Sequence, residues 1–149
     1  MNIEEELEAC REAVKMYKYD FLTGLKGRRD FDFDLRHKFS MGIAFYVTYY
    51  DVNGLHSVNR NKGFDAGDAL IRQVANDIQH QKIAHQTYRT SGDEFYAICC
   101  LEPTTDVANA TMVMANSGEY QTPDEMLAQL DKLMIESKSK LKKRREDDE

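Results

Sequence analysis

No stretch of this 149-residue chain is apolar for long enough to cross a membrane, and its first residues, Met1 to Glu8, are acidic where a secretory leader would be basic. Both absences argue against export and membrane insertion, so the expected location is cytoplasmic. Cysteine is scarce. Cys10, Cys99 and Cys100 form no C-x-x-C motif, and the adjacent pair falls in an apolar run that reads as a buried strand. Free thiols in a reducing compartment fit that pattern. The histidines, His37, His56, His80 and His85, are scattered, and none stands at zinc-ligand spacing from a cysteine, which argues against zinc. Positive charge is also in short supply: a net charge of −6 has the wrong sign for a broad DNA- or RNA-binding surface.

What is present is 42% hydrophobic and 31% charged residues, in a length suited to one domain with its own core. Ile3, Leu7, Cys10, Val14 and Tyr17 recur at alternating intervals of four and three. Residues 1–19 therefore read as an amphipathic helix able to pair with a copy of itself, although two heptads are too few to hold such a pair alone. Arg28 to Phe39 reads as a second helix with Phe31, Leu35 and Phe39 on one face, followed by a strand from Ile43 to Tyr50 and a short helix from Leu55 to about Asn61. Asp68 reads as the start of a longer helix to about Gln81, where Leu70, Val74 and Ile78 stand four apart. Thr87 to Thr90 and Phe95 to Leu101 flank a turn as a hairpin, Thr111 to Ala115 is a further candidate strand, and Pro123 opens the last helix. This order suits an α/β (α+β) sandwich centred on an antiparallel sheet. Residues 143–149, basic then acidic, read as a solvated, frayed tail.

Chemistry concentrates at two places. The strand ends in Asp51-Val52-Asn53-Gly54, and the hairpin turn is Arg89-Thr90-Ser91-Gly92-Asp93-Glu94-Phe95. A strand end carrying Asp51 and a hairpin tip carrying Asp93 and Glu94 bring three carboxylates within reach of one another. Such a cluster needs a proton, a cationic side chain or a hard divalent ion to neutralise it, and magnesium is the natural occupant. Taken singly, Asp51 is a turn residue before Asn53-Gly54, and Asp93-Glu94 is a solvated tip. Together they favour the metal.

In order and spacing the landmarks resemble the GGDEF domain, the family of diguanylate cyclases. Asp20-Phe21-Leu22-Thr23-Gly24-Leu25 followed by Arg28-Arg29-Asp30-Phe31 is similar to its D-x-L-T-G-L and R-R-x-F signatures. Asp51-Val52-Asn53-Gly54-Leu55, Asn59, Gly63 and Gly67-Asp68 follow its next block, and Ser91-Gly92-Asp93-Glu94-Phe95 stands where the family has G-G-D-E-F, an SGDEF variant. Asp131 and Lys138 fall where the closing helix carries paired Ala-Asp and Ala-Lys. The resemblance spans roughly 20–142. It implies a palm-like antiparallel sheet of the nucleotide-cyclase type, a catalytic domain over 20–142, and a preceding helix over 1–19 that serves dimerisation.

The resemblance further implies that two GTP molecules are condensed into cyclic di-GMP with release of pyrophosphate, using two Mg2+ or Mn2+ ions per site. Asp51 and Asp93 would be metal ligands, the Val52 carbonyl would complete the shell, and Glu94 would serve the second ion or the attacking hydroxyl. Phosphates would meet the backbone around Asn53, Gly54 and Leu55, then His56, Lys138 and Lys142. Asn59 and Asp68 would read guanine, with a cap at each helix end as their structural counterparts. Each protomer binds one GTP, so a homodimer is expected.

Several residues depart from the family pattern. His56 replaces a phosphate-facing Lys, Arg60 an Asp, Phe64 the His of a G-H pair, and Lys142 an Arg. Phe64 reads as a packing residue, and Ser91 is tolerable only where its backbone is extended. Only a short segment, Pro103-Thr104-Thr105-Asp106, stands where the family inserts a helix, so the C-terminal half is shortened. The inhibitory R-x-x-D motif is replaced by Lys82-Ile83-Ala84-His85, so no tight inhibitory site is expected. On this reading no sensor or receiver domain is expected ahead of the catalytic segment. Two other functions stay open: a GTP- or cyclic-dinucleotide-binding module with little or no turnover, and a cyclase of altered purine preference.

Overall fold

A computed structural model describes residues 1–81, 84–103 and 106–148. The sheet is built on β1 (Tyr46–Val52), which pairs antiparallel with β3 (Glu94–Cys99) on one side and β4 (Ala110–Asn116) on the other. A hairpin adds β2 (Ala84–Ser91) outside β3, giving the order β2-β3-β1-β4. Alternation in β1 sends Val47 and Tyr49 to one face and Tyr50 and Val52 to the other, and all four are buried. The first face is covered by α2 (Arg28–Ser40) and α5 (Pro123–Asp147), which bury Phe31, Leu35, Met126, Leu130 and Met134 at helical spacing. The second face is covered by α4 (Phe64–Gln79) through Ile71, Val74, Ala75 and Ile78, with α3 (Leu55–Lys62) beside it. The result is the expected α/β sandwich on an antiparallel sheet.

Several boundaries differ from the sequence reading. β1 starts at Tyr46, because Ile43 is 63% exposed, and it runs on through Asp51, which lies inside the ladder opposite Glu94. α4 begins at Phe64, capped by Gly63 with φ +90°, so Asp68 sits one turn inside the helix and caps nothing. Phe64 is 75% exposed and does not pack. The basic residues after Lys142 are not a frayed tail: α5 continues to Asp147. Between β3 and β4 the described residues hold no helix, and Thr104 and Thr105 lie outside the described residues.

α1 (Ile3–Lys18) begins with a reciprocal capping box between Asn2 and Glu5, yet buries no residue. Its stripe, including Ile3, Leu7, Val14 and Tyr17, is exposed in the single chain.

Candidate functional site

The end of β1 is tied to the hairpin turn by backbone as well as side chain. Asp51 pairs with Glu94 in the ladder, and the Val52 N–H donates to the Asp93 carbonyl at 2.8 Å. The turn itself is clamped from the N-terminal side. Arg89 donates from one nitrogen to both Asp20 oxygens, at 2.9 and 3.0 Å, and from another to the Gly92 carbonyl at 2.8 Å. Thr23 adds its N–H and hydroxyl to the same Asp20 carboxylate. Burial pushes the Asp20 carboxyl up, but the Thr23 hydrogen bonds, then the Arg89 bond and its charge, outweigh it and hold the group below its ordinary range. Ser91 belongs to β2 and is not among the residues with positive φ, so its side chain costs the backbone nothing.

With the tip held, Asp51, Asp93 and Glu94 each present a carboxylate oxygen within 4.8 Å of the others, all three half-buried. Two neighbours already manage this charge. Lys138 from α5 donates to Asp51 Oδ1 at 2.9 Å and to Asn53 Oδ1 at 3.1 Å, and the Tyr49 hydroxyl donates to Glu94 Oε1 at 2.9 Å. Burial, then the bond to Glu94, pushes the Tyr49 hydroxyl well above its ordinary range, so it stays a proton donor. The donor set is all oxygen with excess negative charge, which fits a hard divalent cation rather than zinc or copper.

The loop after β1 departs in one detail from expectation. The Asn53 N–H donates to the Asn109 carbonyl at 2.8 Å, so it is not available to a phosphate. The Asn53 side chain accepts from Thr111 Oγ1 at 2.7 Å as well as from Lys138. Gly54 takes the left-handed conformation, φ +69°, that turns the chain into α3. Past it, the amides of Leu55 and His56 have no protein acceptor among the described residues, as at any helix start. His56 is exposed on that first turn, and Lys142 is exposed on α5 one turn beyond Lys138. The Asn59 side chain lies against Gly67, so closely that a Cβ there would fall 1.7 Å from Asn59 Oδ1. This brings Asn59 of α3 beside the Gly67-Asp68 step of α4, both polar residues half-buried. Lys82, Ile83 and the side chains of Ala84 and His85, which stand in place of the inhibitory motif, lie outside the described residues.

The family model described as "Diguanylate cyclase, GGDEF domain" matches residues 17–117. The chain belongs to the GGDEF family. The bifunctional diguanylate cyclase/cyclic di-GMP phosphodiesterase MucR of Pseudomonas aeruginosa is 31% identical over an alignment of 120 residues that covers 76% of this chain and 18% of that protein. An uncharacterized membrane protein of Staphylococcus haemolyticus is 23% identical over 76% of this chain and 34% of its own length. The chain thus spans about a third or less of these curated relatives. Among solved structures, the coiled coil and GGDEF domain of DgcB from Caulobacter crescentus, in complex with c-di-GMP, superposes with a TM-score of 0.73 at 19% identity. That match covers 92% of this chain and 88% of DgcB's, and the likeness extends the GGDEF fold beyond the span of the family match to α5, which carries Lys138.

The sequence reading of this GGDEF domain missed Tyr49, Thr111, Asn109 and the pairing of Asp20 with Arg89. Tyr49 had a signal: it stands two residues before Asp51 in a strand, and so on the same face.

Proposed function

We propose that this chain is a diguanylate cyclase, condensing two GTP molecules into cyclic di-GMP and pyrophosphate. The observation that carries the reading is the convergence of Asp51, Asp93 and Glu94, whose oxygens approach within 4.8 Å from the end of β1 and from the hairpin turn that opens β3. Divalent ions, Mg2+ or Mn2+ and two per site, would activate the ribose 3′-oxygen and stabilise the departing pyrophosphate. Asp51, Asp93 and the Val52 carbonyl would hold them, and Glu94 would serve the second ion or accept the proton of the attacking hydroxyl. The Gly54, Leu55 and His56 amides, with Lys138 and Lys142, hold the triphosphate. Asp68 accepts from guanine N1–H and the exocyclic amine, and the Asn59 amide bonds O6 or N3.

One site holds one GTP, so turnover requires two protomers face to face. The unburied stripe of α1 is the tether in this reading, and activity rises steeply with protein concentration. Feedback by product is absent, since Lys82-Ile83-Ala84-His85 offers neither the Arg nor the Asp that would hold a second guanine.

A second reading, a nucleotide-binding module without turnover, is favoured by one observation: position 56, exposed on the first turn of α3, is a histidine and not a lysine. Purified chain mixed with GTP, ATP and Mg2+, with products resolved by mass, separates the readings. Cyclic di-GMP is expected. Nucleotide binding without product would establish the module, and an adenine-containing product would establish a cyclase of altered purine preference.

A further inference from the structure

Glu94 is held from behind by a tyrosine. Tyr49 and Tyr96 face one another in the β1–β3 ladder, and Asp51 and Glu94 are opposed two residues further along. Side chains two apart on a strand share a face, so these four residues form one patch on the side covered by α5. Across it the Tyr49 hydroxyl donates to Glu94 Oε1 at 2.9 Å. The Tyr49 ring is 6% exposed and lies against Tyr96 at 4.5 Å between centroids, and Tyr96 in turn stacks on Phe31 at 4.4 Å. A ring wedged in this way cannot follow the carboxylate if it swings. The hydroxyl is a fixed point beside a glutamate that sits, with several free torsions, at the start of a strand next to a turn.

We propose that Tyr49 is a positioning residue for Glu94: its hydroxyl holds one carboxylate oxygen and leaves the other free for a divalent cation that would bind beside Asp51 and Asp93. The inference rests on the metal-dependent cyclase reading and goes beyond it. A hydrogen-bond partner that orients a metal-binding carboxylate contributes about 10–100-fold in metal affinity or activity. Tyr49 is also a core residue, so the hydroxyl must be tested without disturbing the ring.

Tyr49→Phe does this, because it keeps the ring and removes only the O–H. Mn2+ alone is titrated into the nucleotide-free chain, following the free-ion signal by electron paramagnetic resonance, with thermal unfolding measured in parallel. The variant is expected to bind Mn2+ about ten-fold more weakly with its ion-free unfolding midpoint unchanged. In a Glu94→Ala background the same substitution is expected to cause no further loss, since the hydroxyl acts only through that carboxylate. Equal affinities for wild type and Tyr49→Phe, both lost in Asp51→Asn, overturn the positioning role and leave the site assignment standing. Equal losses with and without Glu94 also overturn it, because the effect would then be one of packing. No saturable Mn2+ binding by the wild type overturns the site reading and the proposal with it.

Discussion

Lys138 Nζ lies 2.9 Å from Asp51 Oδ1 and 3.1 Å from Asn53 Oδ1, so a side chain of the last helix closes over the end of the central strand, 87 residues earlier. The two charged side chains are 33% and 21% exposed, between solvent and core. A pair in that setting contributes more than a surface ion pair, and removing the lysine leaves Asp51 beside Asp93 and Glu94 with no compensating charge. In the cyclase reading the same ammonium also serves the triphosphate. It has two sets of anions between which to divide itself.

Lys138→Met therefore separates the two roles. In EDTA the variant is expected to lose about 1 kcal/mol, a fall of about 2–4 °C in unfolding midpoint for a domain of this size. Added Mn2+ should raise the midpoint more in the variant than in wild type, because the ion no longer displaces an ammonium. GTP turnover should fall at least ten-fold. Equal midpoints in EDTA would show that the contact carries no stability.

Asp93→Ala has opposite consequences for activity and for the fold. Cyclic di-GMP synthesis is expected to drop by about a hundred-fold or more, the scale of removing one preorganised electrostatic contact to a transition state. Stability in EDTA at neutral pH should hold or rise, because one of three mutually repelling carboxylates has gone. Product quantified by mass, beside a thermal scan, checks both signs, and unchanged synthesis would refute the site assignment.

Gly67→Ala tests the contact between α3 and α4. A methyl group there would stand 1.7 Å from Asn59 Oδ1 and 2.8 Å from its Cγ, so Asn59 must leave its place. The variant is expected to be destabilised by about 1–3 kcal/mol, as for overpacking elsewhere, and to lose preference for GTP over ATP in a competition assay. Combining it with Asn59→Ala removes the clash. Because alanine favours a helix over glycine by about 1 kcal/mol, the double variant should be at least as stable as Asn59→Ala alone in urea.

The clamp of Asp20 on Arg89 predicts a pH dependence of definite sign. The folded carboxyl titrates below its ordinary value of 3.8, so its contribution to stability is present above that value and is lost as pH falls through the lower folded pKa. Asp20→Asn should be less stable than wild type at pH 7, and the gap should narrow as the pH is taken below about 4. Urea midpoints at a series of pH values measure this. A gap independent of pH would place its origin outside the carboxylate charge.

Much of the element order was legible because burial imposes a period. The four-residue spacing of Val74 and Ile78 and the apolar run through Tyr46 to Tyr50 reappear as α4 and β1, and Phe31 and Leu35 lie buried where α2 was read. Errors fell where the local signal was misleading. Asp68 looked like a cap, but the chain enters α4 at Gly63 through a positive φ that no side-chain type announces except glycine itself. The basic run after Lys142 looked solvated and is; solvation did not prevent it from continuing the helix.

The sequence by itself determined the chemistry available: which acids, which amides and which lysines stand at the spacings of a GGDEF domain. Only the tertiary structure decided how they are shared out. It gave Lys138 to Asp51, Tyr49 to Glu94, Arg89 to Asp20 and the Asn53 amide to Asn109. Periodicity along a chain records which face a residue takes, because burial acts on each element separately. The partner a polar group finds depends on how separate elements meet, and that distance is written in no local pattern.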